Sequence, residues 1–229
     1  RLEPGDVLVT RKNWYLSNIG LPGFWPHAEL YIGSPEEMAE LDGPEVTAAL
    51  PELGGQPLTK HLAQRYPRAW AAYTAAPEEG QAHRIIEAVS EGVVFSSLLE
   101  GGGADYVAAL RPKRSAADRA RAILRAFAYW GRPYDFNFDF MTDEALVCTE
   151  LVYKSWEPSP EHQGLRLELV EVAGRSTLPA NDLVRQFAAQ RALPPEQRQL
   201  EFVGFLEGRE KKGRARMGTE EAFADSWRR

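Results

Sequence analysis

The sequence predicts an α+β fold rather than a doubly wound sheet, because several strands follow one another while the helices are segregated elsewhere. Two further observations point to a single domain. With 229 residues and a hydrophobic fraction of 44%, the chain can bury a sizeable core without disulfide or metal supports. No internal repeat and no linker rich in Pro, Gly or Ser divides it into halves. We therefore expect one domain over residues 1–229.

Short β-branched or apolar runs bounded by turn residues predict the strands. In chain order these runs are residues 5–10, 27–33, 83–89, 92–95, 105–110 and 200–206. Alternation along a strand places His27, Glu29 and Tyr31 on one face, and it places Ile85 and Glu87 together on another strand. The loop over residues 11–26 is rich in Pro and Gly. It also holds aromatic residues that we expect to be exposed, namely Trp14, Tyr15, Phe24 and Trp25.

Three helices are predicted, over residues 116–130, 148–156 and 178–190. Ser115 and Asp118 have the spacing of a capping box at the start of the first helix, and glycine and proline follow its end. Residues 34–80 are rich in Pro, Gly, Glu and Ala, which indicates a surface insertion with short helices. The charged tail from residue 207 is expected to be loose.

Composition excludes several functional classes. The net charge of −6 argues against a nucleic-acid-binding surface, so no nucleic acid partner is expected. No stretch reaches the roughly 18 apolar residues of a membrane-spanning helix, so no transmembrane segment is predicted in this chain. The chain begins with Arg1 rather than Met, so an upstream signal or anchor is compatible with it. Both the cell envelope and the cytoplasm therefore stay open as compartments.

The sequence offers no complete metal or cofactor motif. His-Ala-Glu at residues 27–29 resembles half of a zinc deaminase site, but a single cysteine cannot supply the Pro-Cys-x-x-Cys half. Asp-x-Asn-x-Asp at residues 135–139 resembles the start of a calcium loop. Phe140 and Leu146, however, stand where that loop needs a glycine and a bidentate glutamate. We therefore predict neither a metal site nor a cofactor.

Cys148 is the single cysteine, and its placement favours a nucleophile. An apolar approach over residues 146–147 changes abruptly into a helical pattern, which puts the sulfur in the first helical turn. The unpaired N–H groups and the positive end of a helix stabilise a thiolate and lower the thiol pKa from about 8.5. Such a thiolate can attack an acyl carbon. The alternative, an inert buried cysteine, is the more common state of a lone cysteine.

His27 is the candidate base. It opens a strand directly after an aromatic, proline-rich loop, where the rim of a cleft is expected, and a neutral imidazole there can accept a thiol proton. Glu87, on a neighbouring strand, is the candidate that orients this histidine through its other ring nitrogen. Taken singly, a structural histidine and a solvated strand carboxylate are the more common explanations of such residues.

Two segments around the cysteine carry a family resemblance. Residues 129–136 are Tyr-Trp-Gly-Arg-Pro-Tyr-Asp-Phe, and residues 147–153 are Val-Cys-Thr-Glu-Leu-Val-Tyr. Supporting pieces precede them in order, and they are Gly5-Asp6-Val7-Leu8, His27 before Leu30-Tyr31-Ile32-Gly33, Ile86-Glu87-Ala88, Gly92-Val93 and Leu110-Arg111-Pro112. Together they span residues 5–156. This ordered set resembles the YiiX/YebB-type, circularly permuted branch of the NlpC-like papain-like hydrolases, in which the histidine precedes the cysteine.

The resemblance implies a papain-like α+β fold, with an antiparallel sheet and the nucleophile helix packed against it. It makes Cys148 the nucleophile and His27 the general base, and Glu87 falls where the family has its third polar residue. Glu29 stands where a small residue is expected, so it can raise the pKa of His27 or compete to orient it. The candidate substrate-binding residues are Tyr134, Glu29 and Trp25, and Tyr134 is also a candidate oxyanion donor.

Two functions from different classes fit these features. The first is a thiol-dependent hydrolase or acyltransferase that forms an acyl-enzyme on Cys148. The resemblance suggests cell-wall peptides or lipid-linked amino-acid amides as its substrates. The second is a catalytically inactive binding or accessory domain that retains the fold, and it predicts an ordinary, slowly reacting thiol. The presence of cysteine, histidine and a candidate acid in family order favours the first.

Overall fold

A seven-stranded sheet organises the part of the chain that the computed structural model describes, which is residues 1–13, 23–75, 81–135, 145–172, 174–209 and 214–229. The strands are β1 (Val7–Arg11), β2 (His27–Tyr31), β3 (His83–Val89), β4 (Gly92–Ser97), β5 (Tyr106–Pro112), β6 (Val170–Val172), β7 (Arg175–Thr177), β8 (Leu200–Arg209) and β9 (Arg214–Met217). The sheet has the order β4-β3-β2-β1-β5-β8-β9 with antiparallel neighbours, and β6 pairs with β7 separately. The predicted α+β fold is confirmed, as are the six predicted strands.

Of the described α-helices, four lie between β2 and β3 in the chain, three lie between β5 and β8, and one follows β9. They are α1 (Pro35–Met38), α2 (Pro44–Ala49), α3 (Leu58–Arg65), α4 (Pro67–Tyr73), α5 (Ala116–Tyr129), α6 (Cys148–Trp156), α7 (Ala180–Gln190) and α8 (Glu220–Ala224). The predicted capping box is present on α5, where the Asp118 N–H donates to Oγ of Ser115 over 3.1 Å. Helix α6 packs against α5 and β2, so its first residue lies close to the start of that strand. None of the described helices has both the length and the apolar character that a membrane crossing requires.

The register of the central strands brings the polar residues of one face together. In β1 and β2, Thr10 is opposite His27 and Leu8 is opposite Glu29. In β2 and β3, Leu30 is opposite Ile86, and continuing this antiparallel register places Glu87 beside Glu29. The other face of β2 carries Ala28 and Leu30 into the main core, where α5 and α6 cover the sheet. The alternation predicted for β2 is therefore present.

The prediction that residues 34–80 form a surface insertion is wrong for residues 34–75, which the structure describes. The short helices are present, but they bury a row of apolar side chains in the main core. These side chains are Met38, Leu41, Val46, Leu50, Leu53, Leu58, Leu62, Ala69 and Tyr73. Proline opens three of these four α-helices, and each has only four to eight residues, which is too short to show a helical periodicity in the sequence. This segment is part of the domain core.

The expectation that Trp25 is exposed is also wrong, and so is the expectation of a loose tail. Trp25 is completely buried, and its indole N–H donates to Oγ of Ser226 over 2.7 Å. Its ring packs edge-on against Phe205 of β8 and Phe223 of α8. The described residues after 207 thus form the end of β8, β9 and α8, and they close the core over the tryptophan.

Two sequence expectations fall outside the described residues. They concern the aromatic residues Trp14 and Tyr15 in the first loop, and the calcium-like stretch beyond Asp135. Phe24, the remaining aromatic residue of that loop, is half-buried and packs against Tyr106 with 4.9 Å between ring centroids.

Candidate active site

Cys148 is the first residue of α6, so its sulfur lies at the helix end where the backbone N–H groups have no helical partner. The residue is 4% exposed. Its Sγ lies 4.0 Å from the carbonyl oxygen of Pro26, the residue before β2. Backbone N–H groups of Ala28 and Thr149 also donate to the sulfur. The thiol is therefore held between the start of α6 and the start of β2.

His27 contacts both the cysteine and an acid. Its Nε2 lies 2.7 Å from Oε2 of Glu87 on β3, a hydrogen-bonding distance. Its side chain also forms a hydrogen bond with Cys148. Because Nε2 faces Glu87, the nitrogen available to the sulfur is Nδ1. The imidazole thus connects a thiol on one side with a carboxylate on the other.

The electrostatics of this group favour a thiolate–imidazolium pair. Burial alone raises the pKa of Cys148, but the charge and hydrogen bond of His27, together with the two backbone N–H groups, hold that pKa below its usual value. Burial alone lowers the pKa of His27, yet Cys148, Glu87 and Glu29 outweigh it and raise the pKa well above 6.5. For Glu87, burial raises the pKa, and the hydrogen bond and charge of His27 more than offset this and lower it.

Glu29 is a second carboxyl group beside the same imidazole. It is completely buried, and its Oε1 lies 3.7 Å from Nε2 of His27 and accepts a hydrogen bond from Oγ1 of Thr10 over 3.0 Å. Its Oε2 is buried and has no hydrogen-bond partner among the described residues. Burial, with a further contribution from Glu87, raises the pKa of Glu29 to about 7 despite the neighbouring His27. Being fully buried, Glu29 offers no surface to a substrate.

Tyr134 lies on the segment that leads to the cysteine. It forms an isolated parallel bridge with Leu146, and the Asp135 N–H donates to the Leu146 carbonyl oxygen over 3.2 Å. This pairing aligns the tyrosine with the residues just before α6. Burial raises the pKa of Tyr134 above its usual value, and the charges of Cys148 and Asp135 raise it further. The phenol therefore stays protonated at neutral pH and remains a hydrogen-bond donor.

The structure thus brings five of the six sequence-predicted site residues together and separates one. The five are Cys148, His27, Glu87, Glu29 and Tyr134. Trp25 is completely buried away from any surface, so a direct contact with substrate is not available to it. Its buried ring instead anchors the backbone just before Pro26 and His27, which face the sulfur.

Sequence reasoning missed two residues that support the site. Thr10 was recognisable only as part of a strand, yet its hydroxyl binds Glu29. Glu150, in the first turn of α6, is completely buried, and its Oε2 accepts the N–H of Val147 over 3.3 Å. Burial raises the pKa of Glu150 to about 7. Its position three residues after Val147 is the signal that identifies it as a residue that caps the nucleophile helix.

Comparisons with known proteins place the chain among related sequences. The family model described as "Permuted papain-like amidase enzyme, YaeF/YiiX, C92 family" matches residues 1–199. No curated protein matches the chain. Among solved structures, the chain is similar to the metalloprotein yiiX from Escherichia coli O157:H7, with 16% identity over 88% of this chain and 96% of that one, and a TM-score of 0.47.

Proposed function

The chain belongs to the C92 family of permuted papain-like amidases, the YaeF/YiiX group, and from this premise we propose that it hydrolyses an amide or ester bond with Cys148 as the nucleophile. One observation carries the proposal, namely that His27 bridges the buried thiol and the carboxylate of Glu87. A nucleophile, a base and an orienting acid in contact form the arrangement that acyl transfer requires.

In the proposed mechanism the resting site holds a Cys148 thiolate beside a His27 imidazolium. The thiolate attacks the substrate carbonyl carbon, and the imidazolium donates its proton to the leaving amine or alcohol as the bond to carbon breaks. The product of this half-reaction is a thioester on Cys148. The neutral imidazole then takes a proton from water, the resulting hydroxide attacks the thioester, and the carboxylic acid leaves with the thiolate restored. Another acceptor in place of water would make the same enzyme an acyltransferase.

Two donors are proposed for the oxyanion that forms during both half-reactions. The backbone N–H of Cys148 lies at the start of α6, where helix geometry leaves it unpaired and the helix dipole favours negative charge. The hydroxyl of Tyr134 is the second, because a phenol is protonated at neutral pH, the charge of Cys148 is near enough to raise the pKa of this one, and its segment is paired to the residues before the cysteine.

For the substrate, we propose an amide linked to a lipid-like apolar group rather than a polar cell-wall peptide. Leu98 and Leu99 follow β4 and are 40% and 64% exposed, so the two consecutive side chains form a small apolar patch on the surface. The turn that holds them also contains Gly101, which borders Glu29 and Glu87. The leucines thus supply an apolar surface next to the acid end of the site.

The test is turnover of acyl-amino-acid amides and of muropeptides by the parent chain and by Cys148→Ala. We expect hydrolysis of the acyl amides, a trapped thioester on Cys148 by mass spectrometry, and at least about a 1,000-fold lower kcat/KM in the variant. Replacing Leu98 and Leu99 by serine should raise KM for the acyl amides. Faster cleavage of muropeptides would contradict the substrate class, and full activity in Cys148→Ala would contradict the mechanism.

A further inference from the structure

Three side chains of metal-ligating type, one histidine and two glutamates, converge at Nε2 of His27. The group consists of His27, Glu29 and Glu87, and one ligand atom from each lies within 4.8 Å of the other two. The group does not include Cys148, although that thiol is hydrogen-bonded to the same imidazole. One imidazole nitrogen and two carboxylate oxygens form a donor set suited to a divalent transition metal such as zinc.

A second observation is that one carboxylate oxygen of this cluster has no hydrogen-bond donor among the described residues. Oε2 of Glu29 is buried without a hydrogen-bond partner among the described residues, and a buried, unsatisfied carboxyl oxygen is costly. Beside it stands Gly101, where a Cβ atom would come within 2.8 Å of that oxygen and 3.3 Å of Oε1 of Glu87. The space next to both carboxylates is thus kept free of a side chain.

The distances fit a metal after small side-chain rotations. Ligand atoms on a tetrahedral zinc ion, bound at about 2.0–2.2 Å, lie roughly 3.4 Å apart. Here Nε2 of His27 is 2.7 Å from Glu87 and 3.7 Å from Glu29, so the first distance must lengthen and the second shorten. The charge also balances, because one divalent cation neutralises two carboxylates.

We propose that His27 Nε2, Glu29 and Glu87 form a binding site for one divalent transition-metal ion, with zinc as the reference ion and water completing its coordination. On binding, the metal–nitrogen bond replaces the hydrogen bond from Nε2 to Glu87, and the proton on Nε2 is released to solvent together with any proton held by the Glu29 carboxyl. The metal-bound ring keeps its proton on Nδ1, facing Cys148. The metal and the His27–Glu87 hydrogen bond therefore cannot be present at the same time. Because the proposed mechanism needs this hydrogen bond, only the metal-free form catalyses the reaction by that mechanism.

The test measures zinc binding by calorimetry in the Cys148→Ala chain, which separates it from the proposed catalysis. We expect one zinc ion per chain, and binding at least about tenfold weaker when Glu29→Gln or Glu87→Gln is added. His162→Gln is the matched control, because Nδ1 of His162 lies 3.6 Å from Asp118 in a histidine–carboxylate pair outside this group. It should leave zinc affinity unchanged.

Two further readouts decide between this site and a cysteine–histidine site. Cobalt added to the parent chain should give visible d–d bands without the near-ultraviolet charge-transfer band of a thiolate ligand, and Cys148 should still react with iodoacetamide in the presence of zinc. The proposal is overturned if Cys148→Ala does not bind zinc, if Glu29→Gln and Glu87→Gln bind it as tightly as their parent, or if zinc blocks alkylation.

Discussion

Nε2 of His27 lies 2.7 Å from Oε2 of Glu87, although 60 residues separate them in the chain. The pairing of β2 with β3 creates this contact, because the register sets Glu87 beside the residues that follow His27. The contact fixes which ring nitrogen faces the acid, and it leaves the other to the thiol of Cys148. It also distinguishes Glu87 from Glu29, whose nearest oxygen is 3.7 Å from the same nitrogen.

Replacing Glu87 by glutamine should impair the site more than the same change at Glu29. Glu87 accepts a short hydrogen bond and raises the pKa of His27, whereas a separation of 3.7 Å at Glu29 exceeds hydrogen-bonding range. We expect kcat to fall more than about tenfold in Glu87→Gln, with the alkylation profile of Cys148 moved to higher pH. The matched variant Glu29→Gln should show the smaller loss, and the reverse order of the two losses would contradict the assignment of Glu87 as the orienting acid.

The buried carboxyl of Glu150 should make stability fall as pH rises. Its pKa in the folded state is about 7 against an ordinary 4.5, so the folded chain holds a proton that the unfolded chain has lost between these values. Stability is therefore lost as pH rises from 4.5 to 7, by up to about 3 kcal/mol for this group. Glu150→Gln retains an acceptor for the Val147 N–H and removes the titration. In urea unfolding, its stability relative to the parent should improve between pH 4.5 and 8, whereas a constant difference would contradict the buried, neutral state.

Residues beyond 207 should contribute to stability through Phe223. This side chain is completely buried against Trp25 and Phe205, so Phe223→Ala should lower the free energy of unfolding by about 3–5 kcal/mol. Arg228→Ala is the control, because Arg228 is an exposed member of an ion pair with Asp225 and should change stability by less than about 1 kcal/mol. Equal melting temperatures for the parent and Phe223→Ala would mean that the tail does not close the core.

Local patterns were sufficient to predict much of the fold. The alternation of polar and apolar residues along the chain identified β2. The capping box at its start and the glycine after its end identified α5. The start of α6 at Cys148 was visible because an apolar stretch changes there to helical periodicity. These elements are determined by interactions between residues close in the chain, and such residues can be recognised directly in the sequence.

The errors concern contacts between residues far apart in the chain. The burial of Trp25 depends on Ser226 and Phe223, which lie about 200 residues away in the chain. The residues next to the tryptophan in the sequence give no sign of these contacts. The distinction between Glu87 and Glu29 depends on strand register and on side-chain orientation. The core contribution of residues 34–75 is divided among helices of four to eight residues, each too short to show a clear apolar period.

The pH dependence of Cys148 alkylation by iodoacetamide, in the parent and in His27→Ala, tests the central claim most directly. The thiolate–imidazolium pair predicts a midpoint below the free-thiol pKa of about 8.5 in the parent. In His27→Ala the midpoint should rise to that value or above, because burial then acts on the thiol without a neighbouring cation. The same chains unfolded in urea provide the reference rate. A parent midpoint at or above 8.5, or one that His27→Ala does not move, would contradict the account.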